Sequence, residues 1–112
     1  MNKYHAKKIS TPDGIFDSKK EYARWCGLKL LYRAGKIMDL QRQVPYELIP
    51  SQYITEQGKR RCVERAVKYV ADFVYRQDGK TVVEDTKGMR TPEYVIKRKL
   101  MLWVHGIRIK EI

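Results

Sequence analysis

Between Ser18 and Gly35, residues Glu21, Trp25, Leu28 and Tyr32 recur at i, i+4, i+7 and i+11, the spacing of one helical face. Ser18 is a ready N-cap and Gly35 a ready C-cap, so a helix of about 17 residues is expected there. A second helix is expected from Thr91-Pro92, with Thr91 capping and Pro92 in the first turn, to His105, where Gly106 ends it. Its core stripe reads as Ile96, Leu100 and Trp103. Strand patterns fill the intervals. Residues 40–50 read as a strand in which Pro45 marks an edge or a bend. Residues 64–76 and 80–87 are rich in β-branched and aromatic residues, and the closing IRIKEI alternates cleanly. Thr11-Pro12-Asp13-Gly14 reads as a turn, and residues 51–61, polar around Gly58, as a loop or hairpin tip. The order helix, strands, helix, strand predicts an α/β (α+β) domain over residues 1–112, with a mixed central sheet flanked by two helices.

The segment YVADFVYRQDGKTVVEDTKG carries the chemistry. Asp78-Gly79 between two apolar runs is a strong signal for a two-residue type I′ hairpin. With that loop, Gln77 pairs with Lys80, Tyr75 with Val82 and Val74 with Val83, and Asp72 falls opposite Asp85. Two facing carboxylates with Cβ atoms about 5 Å apart destabilise a sheet if nothing offsets their charge. A divalent cation removes that cost, and Mg²⁺ takes a few carboxylate oxygens while keeping several waters. Lys87, two residues after Asp85, lies on the same face. Acid, acid and ammonium in one patch suit metal-assisted phosphodiester hydrolysis. The plainer reading is a surface ion cluster contributing about 0–1 kcal/mol. A three-residue loop with a bulge would slide the register by one and bring Glu84 toward Asp72.

Glu21 also has two readings. A carboxylate on an apolar stripe points toward the sheet and adds an acid to the pair. Alternatively, Ser18-Lys19-Lys20-Glu21 is a capping box, in which Glu21 bonds only the backbone at the helix start. Lys19 and Lys20 oppose the helix dipole in the first turn, which an anion nearby would explain.

The charge balance narrows the partners. Against 13 Asp+Glu stand 24 Lys+Arg, a formal net charge of +11 on 112 residues. Such a surplus repels itself unless a polyanion offsets it, and nucleic acid is the polyanion to expect. Lys59, Arg60, Arg61, Arg65 and Lys68 form the densest basic run. Arg90, Lys97, Arg98 and Lys99 surround the second helix, whose N-terminus at Thr91 suits phosphate. No base-reading motif is visible, so recognition by shape is expected rather than by sequence. No apolar run is long enough to span a bilayer, and the basic N-terminus leads into no apolar stretch, so neither a membrane nor a secretory signal is expected. Cys26 and Cys62 are far apart, His5 and His105 lie near opposite ends, and no zinc-ligand spacing occurs.

An acid in a leading helix (Glu21), an Asp ending a central strand (Asp72) and a D-x-K tripeptide in the next (Asp85-Thr86-Lys87) resemble the PD-(D/E)XK nuclease superfamily. The element order is similar to that superfamily's restriction-endonuclease-like αβββαβ core. FDSKKEYARW, YVADF and VVEDTKG resemble a phage-associated branch grouped with Holliday-junction resolvase-like nucleases. Ala71 stands where the Pro of the name would be, and Asp85 where Glu is commoner. The resemblance implies a DNA endonuclease in the cytoplasm of a bacterial or phage-infected cell, leaving a 5′-phosphate and a 3′-hydroxyl. It implies Mg²⁺ or Mn²⁺ held by Asp72 and Asp85, with Glu21 as a direct or water-mediated ligand. Lys87 would act on the attacking water, and Gln43 would also face the site. Lys19, Lys20, Lys59, Arg60, Arg61, Arg65, Arg90 and Lys97 would meet DNA. A resolvase makes two symmetric cuts, which favours a homodimer. Two other classes compete: a nuclease-like fold that binds nucleic acid without cutting it, and a basic RNA-binding protein of unrelated fold.

Overall fold

The computed structural model describes residues 8–86 and 90–112. The fold is α+β, with two helices and a mixed four-stranded sheet. A short hairpin, β1 (Ile9–Thr11) and β2 (Gly14–Phe16), precedes helix α1 (Lys19–Arg33). The long strand β3 (Met38–Ile49) follows, then a second hairpin, β4 (Gln52–Glu56) and β5 (Lys59–Glu64). Strands β6 (Val67–Gln77) and β7 (Lys80–Asp85), helix α2 (Pro92–His105) and β8 (Lys110–Glu111) complete the order. The main sheet runs β3-β6-β7-β8, antiparallel through β7, with β8 parallel to β7.

Local chemistry sets several of these boundaries. The Ser18 hydroxyl accepts from the Glu21 N–H at 3.1 Å, and the Thr91 hydroxyl accepts from the Tyr94 N–H at 3.1 Å, so both expected N-caps form. Gly106 ends α2 at φ 68°, a left-handed conformation that suits a residue without Cβ. Asp78 and Gly79 have φ values of 53° and 77°, the pair of positive angles that a type I′ turn requires. The β6–β7 register is therefore the expected one, with Val74 opposite Val83 and Phe73 opposite Glu84. Pro45 does lie on an edge strand, since β3 pairs only with β6.

Two clusters cover the two faces of the sheet. Phe16, Leu28, Ile37, Phe73 and Tyr75 form one beneath α1, with Tyr22 and Trp25 packed against it. Tyr69, Ala71, Val74, Val83, Tyr94, Met101 and Ile109 belong to the other, beneath α2. Neighbouring strand residues Phe73 and Val74 fall in different clusters, as alternation demands. That alternation breaks near the middle of the β3–β6 pair, apart from the register shifts at Met38/Gln41 and Glu47/Ile49. Ala71 and Val44 join the α2 cluster, whereas Phe73 joins the α1 cluster and Arg42 stacks on Phe16 at 3.6 Å. Gln43, between Arg42 and Val44, has φ 53°. The strands thus exchange faces where Gln43 and Asp72 stand, and side chains at that point leave the regular in-and-out pattern.

Four expectations need correction. The core side of α2 is Tyr94 and Met101, whereas Ile96 is 59% and Trp103 86% exposed, and Leu100 is only partly buried. The sheet offers α2 its Tyr69, Val74 and Val83 side chains, and the aromatic Tyr94 packs on Tyr69. The stripe on α1 is buried at Glu21 and Leu28 but leaves Tyr32 54% exposed. Of the two alternatives for residues 51–61 the loop is the one corrected and the hairpin holds: they belong to β4–β5, turning at Gln57-Gly58 with φ values of 49° and 76°. The final strand is restricted to Lys110–Glu111.

Candidate functional site

The site is built at the β6–β7 hairpin's open end. The paired register ends at Phe73 opposite Glu84, so Asp72 and Asp85 each stand one residue beyond it. Asp85 is 1% exposed, and one of its oxygens accepts from the Tyr69 hydroxyl at 2.7 Å. Burial, followed by the charge of Asp85 beside it, pushes the Tyr69 phenol far above its ordinary value, so it remains a donor. Asp72 lies half-buried at the exchange of faces. Its Oδ2 accepts from both the backbone N–H of Thr86 at 2.8 Å and the Thr86 hydroxyl at 2.9 Å.

Glu21 bonds both the helix start and the sheet. Its Oε1 accepts from the backbone N–H of Asp17 at 2.8 Å, so it does cap the helix start, one residue earlier than a standard capping box. Its Oε2 accepts from Gln43 Nε2 at 3.0 Å, and the side chain is 1% exposed. Burial raises its pKa above the usual carboxylate value, and the negative charge of nearby Asp72 adds to the rise. Gln43, placed by its left-handed backbone, therefore links the helix acid to the position of Asp72.

Glu84 is excluded from this group by its face. It is fully buried on the α1 side, where Arg24 Nε and Nη2 grip its two oxygens at 2.8 and 2.6 Å and the Tyr75 hydroxyl also donates to it. Burial and the Glu84 hydrogen bond push the Tyr75 phenol up to about 12. The bulged alternative, in which Glu84 would face Asp72, does not occur.

Lys87 lies outside the described residues. Among the described residues, no group of three or more His, Cys, Asp or Glu side chains is placed to hold a metal ion. Glu21 is held by Asp17 and Gln43 and does not converge with the aspartates on one point. Asp72 and Asp85 alone still fit a hard divalent cation chemically, since Mg²⁺ needs one or two carboxylates and completes its shell with water. A groove of about 410 Å³, lined by Trp25, Lys29, Tyr32, Arg33, Asp39 and Leu40, includes none of the three acids.

The basic candidates divide into engaged and available groups. Lys19 and Lys20 are exposed at the start of α1, beside Glu21. Lys59, Arg60 and Arg61 are exposed on β5, and Arg65 follows it. The Arg60 guanidinium lies over the Tyr53 ring at 3.8 Å, and Arg61 pairs with Glu56 at 3.0 Å. Asp72 is five residues into β6, roughly 17 Å beyond the base of this hairpin at strand spacing. Arg90 pairs with Glu111, and Lys97 with Glu93 at 3.1 Å, so both are partly neutralised. The residues that sequence reading missed are the supports: Tyr69, Thr86, Arg24 and Tyr75. Only Thr86 had a signal, its place inside the D-x-K tripeptide.

No curated protein and no solved structure matches the chain. A family model does match, over residues 1–107, and the chain belongs to that family, described as "Protein of unknown function (DUF1064)".

Proposed function

We propose that the protein is a metal-dependent endonuclease that hydrolyses DNA phosphodiesters, with branched or structured DNA as its substrate. The observation that carries this reading is that Asp72 and Asp85, each one residue beyond the last paired position of the β6–β7 hairpin, both accept hydrogen bonds that fix their orientation. Neighbouring carboxylates repel each other, and a bound divalent cation would offset that repulsion. When bound, Mg²⁺ or Mn²⁺ would supply a Lewis acid and lower the pKa of water.

The chain's own residues divide the remaining work. Asp72 and Asp85 hold the cation, while Thr86 and Tyr69 keep their oxygens aimed. Glu21 reaches the centre through water, and Gln43 holds its side chain in place. Lys87 stabilises charge that develops on the phosphoryl group. Lys19, Lys20 and the basic β4–β5 hairpin bind the sugar-phosphate backbone. This reading places the protein in the cytoplasm with DNA, and paired cuts on a junction would need a homodimer. No described helix is long and apolar enough to cross a membrane.

One observation favours a second reading, a nucleic-acid-binding module without catalysis: the three acids do not converge as a metal-holding group among the described residues. Incubating four-way, flapped, nicked and linear DNA with the protein, with and without Mg²⁺ or Mn²⁺, separates the two. Metal-dependent nicking supports the nuclease. Metal-independent binding without cleavage of any substrate assigns the module.

A further inference from the structure

The groove beside α1 combines aromatic rings with cations. Its volume is about 410 Å³, within the roughly 300–1,000 Å³ of small-ligand sites. Trp25, Lys29, Tyr32 and Arg33 line it from one side of α1, and Asp39 and Leu40 line it from the start of β3. Trp25 stacks on Phe73 at 5.9 Å between ring centres, and its indole N–H donates to Asp13 at 3.2 Å. Its polar edge is thereby used, so it offers an occupant ring carbon. Tyr32 supplies a second ring, 54% exposed.

The charged lining sorts the possible occupants. Lys29 pairs with Asp13 and holds that carboxyl below the usual carboxylate range. Arg33, exposed in the last turn of α1, also acts on Asp13 by charge but makes no ion pair among the described residues. Its guanidinium can therefore turn to a phosphate. Asp39 repels phosphate but can accept the N–H groups of a base edge. Phosphate alone would gain nothing from Asp39 or from the two rings, whereas a base with its phosphate uses all of them. The net charge of +11 favours a polyanion over a free mononucleotide.

We infer that this groove binds one unpaired nucleotide of a single strand, its base against Tyr32 and Trp25 with Asp39 at the base edge, and its phosphate on Arg33. The groove continues the α1 stripe that begins at Glu21. Trp25 is about 6 Å along the helix from Glu21. Leu40 is roughly 10 Å along β3 from Gln43, which holds Glu21. A nucleotide seated there thus neighbours the acids. On the nuclease reading, branched, flapped and nicked DNA would gain over intact duplex by offering unpaired nucleotides. Binding in the groove does not itself require cleavage.

The chain has two tryptophans, and Trp103 lies on α2, outside the groove. In the full chain carrying Trp103→Phe, emission therefore reports Trp25. Titration without metal tests the inference, using a short deoxyadenylate strand, an abasic strand of equal length, the same strand in duplex form, and deoxyadenosine monophosphate. The expected result is a saturable change at Trp25 with the deoxyadenylate strand, at a dissociation constant at least about tenfold below the other three. Tyr32→Ala should raise that constant about 5–150-fold, the loss of one base stack, and Tyr32→Phe should retain it. Arg33→Gln should lower the log–log salt slope by about 0.7, one phosphate on a single strand. Circular dichroism melts of these variants should match wild type, because both side chains are exposed. An abasic strand or a duplex that binds as tightly at Trp25 overturns the inference, as does a folded Tyr32→Ala with wild-type affinity. A mononucleotide that binds as tightly assigns the groove to free nucleotides and overturns the single strand. Nicking is assayed separately and with metal, so its failure bears on the proposed nuclease activity and not on this groove.

Discussion

Asp72 Oδ2 accepts two hydrogen bonds from one residue, Thr86, through its backbone N–H and its hydroxyl. Thr86 follows Asp85 directly, so the strand carrying the second aspartate also orients the first. Thr86→Val removes one of the two donors at nearly constant volume. Mn²⁺ affinity should fall about 10–100-fold, the effect of losing an outer-shell partner. Isothermal titration calorimetry reads this. Unchanged affinity would mean that the hydroxyl has no part in presenting Asp72.

Asp72→Asn and Asp85→Asn should each abolish metal-dependent cleavage while DNA binding stays equal or tightens. On the proposed nuclease reading, each change removes a cation ligand and also a negative charge beside phosphate. Gel-shift titration and a nicking assay on the same preparations check both halves. Near-normal cutting by both variants would sink the site assignment.

The Arg24–Glu84 pair should matter to stability rather than to cleavage. Glu84 is fully buried, and Arg24 holds both of its oxygens. Arg24→Met strands a buried charge and should cost about 3–5 kcal/mol in urea unfolding. Replacing Arg24 and Glu84 by Met and Tyr75 by Phe removes every polar member of the network and should restore most of that loss. Glu84→Gln, assayed at temperatures where it is folded, should cut DNA at close to the wild-type rate. A triple variant no more stable than Arg24→Met would show that packing, not an unpaired charge, sets the cost.

Neutralising Arg60, Arg61 and Arg65 together should weaken binding to all DNA sequences alike. These residues are exposed on or just after the β5 strand. The log–log salt slope should decrease by up to about 0.9 for each phosphate that is no longer neutralised. An unaltered slope means the hairpin faces away from DNA.

Glu111 predicts a pH effect on folding. The Tyr94 hydroxyl, then Arg90 and Arg98, hold its carboxyl below the ordinary glutamate range. A carboxylate favoured in the folded state adds stability above its unfolded pKa, and the contribution disappears as pH falls through the folded value. Wild type should therefore lose more melting temperature than Glu111→Gln when pH drops from neutral to below roughly 4. Parallel acid limbs for the two proteins would count against the assigned network.

The parts legible in the sequence are those governed by neighbours along the chain. Ser18, Thr91 and Gly106 cap helices because a hydroxyl or a missing Cβ acts within three or four residues. Asp78-Gly79 determines the hairpin register because a two-residue turn with both φ values positive matches the twist of those strands, and that register holds as far as Phe73 opposite Glu84. Tertiary structure decided what periodicity left degenerate. Helix α2 carries one apolar side through Tyr94 and Met101 and another through Ile96 and Trp103, and the side chains that the sheet offers chose the first. The turn register puts the adjacent acids Glu84 and Asp85 on opposite faces, but what each meets there was not legible. Arg24, 60 residues earlier, meets Glu84 on one face, while Tyr69 meets Asp85 on the other. The break in alternation at Gln43 and Asp72 likewise belongs to strand pairing, because a left-handed residue inside a strand is tolerated only where surrounding contacts hold it.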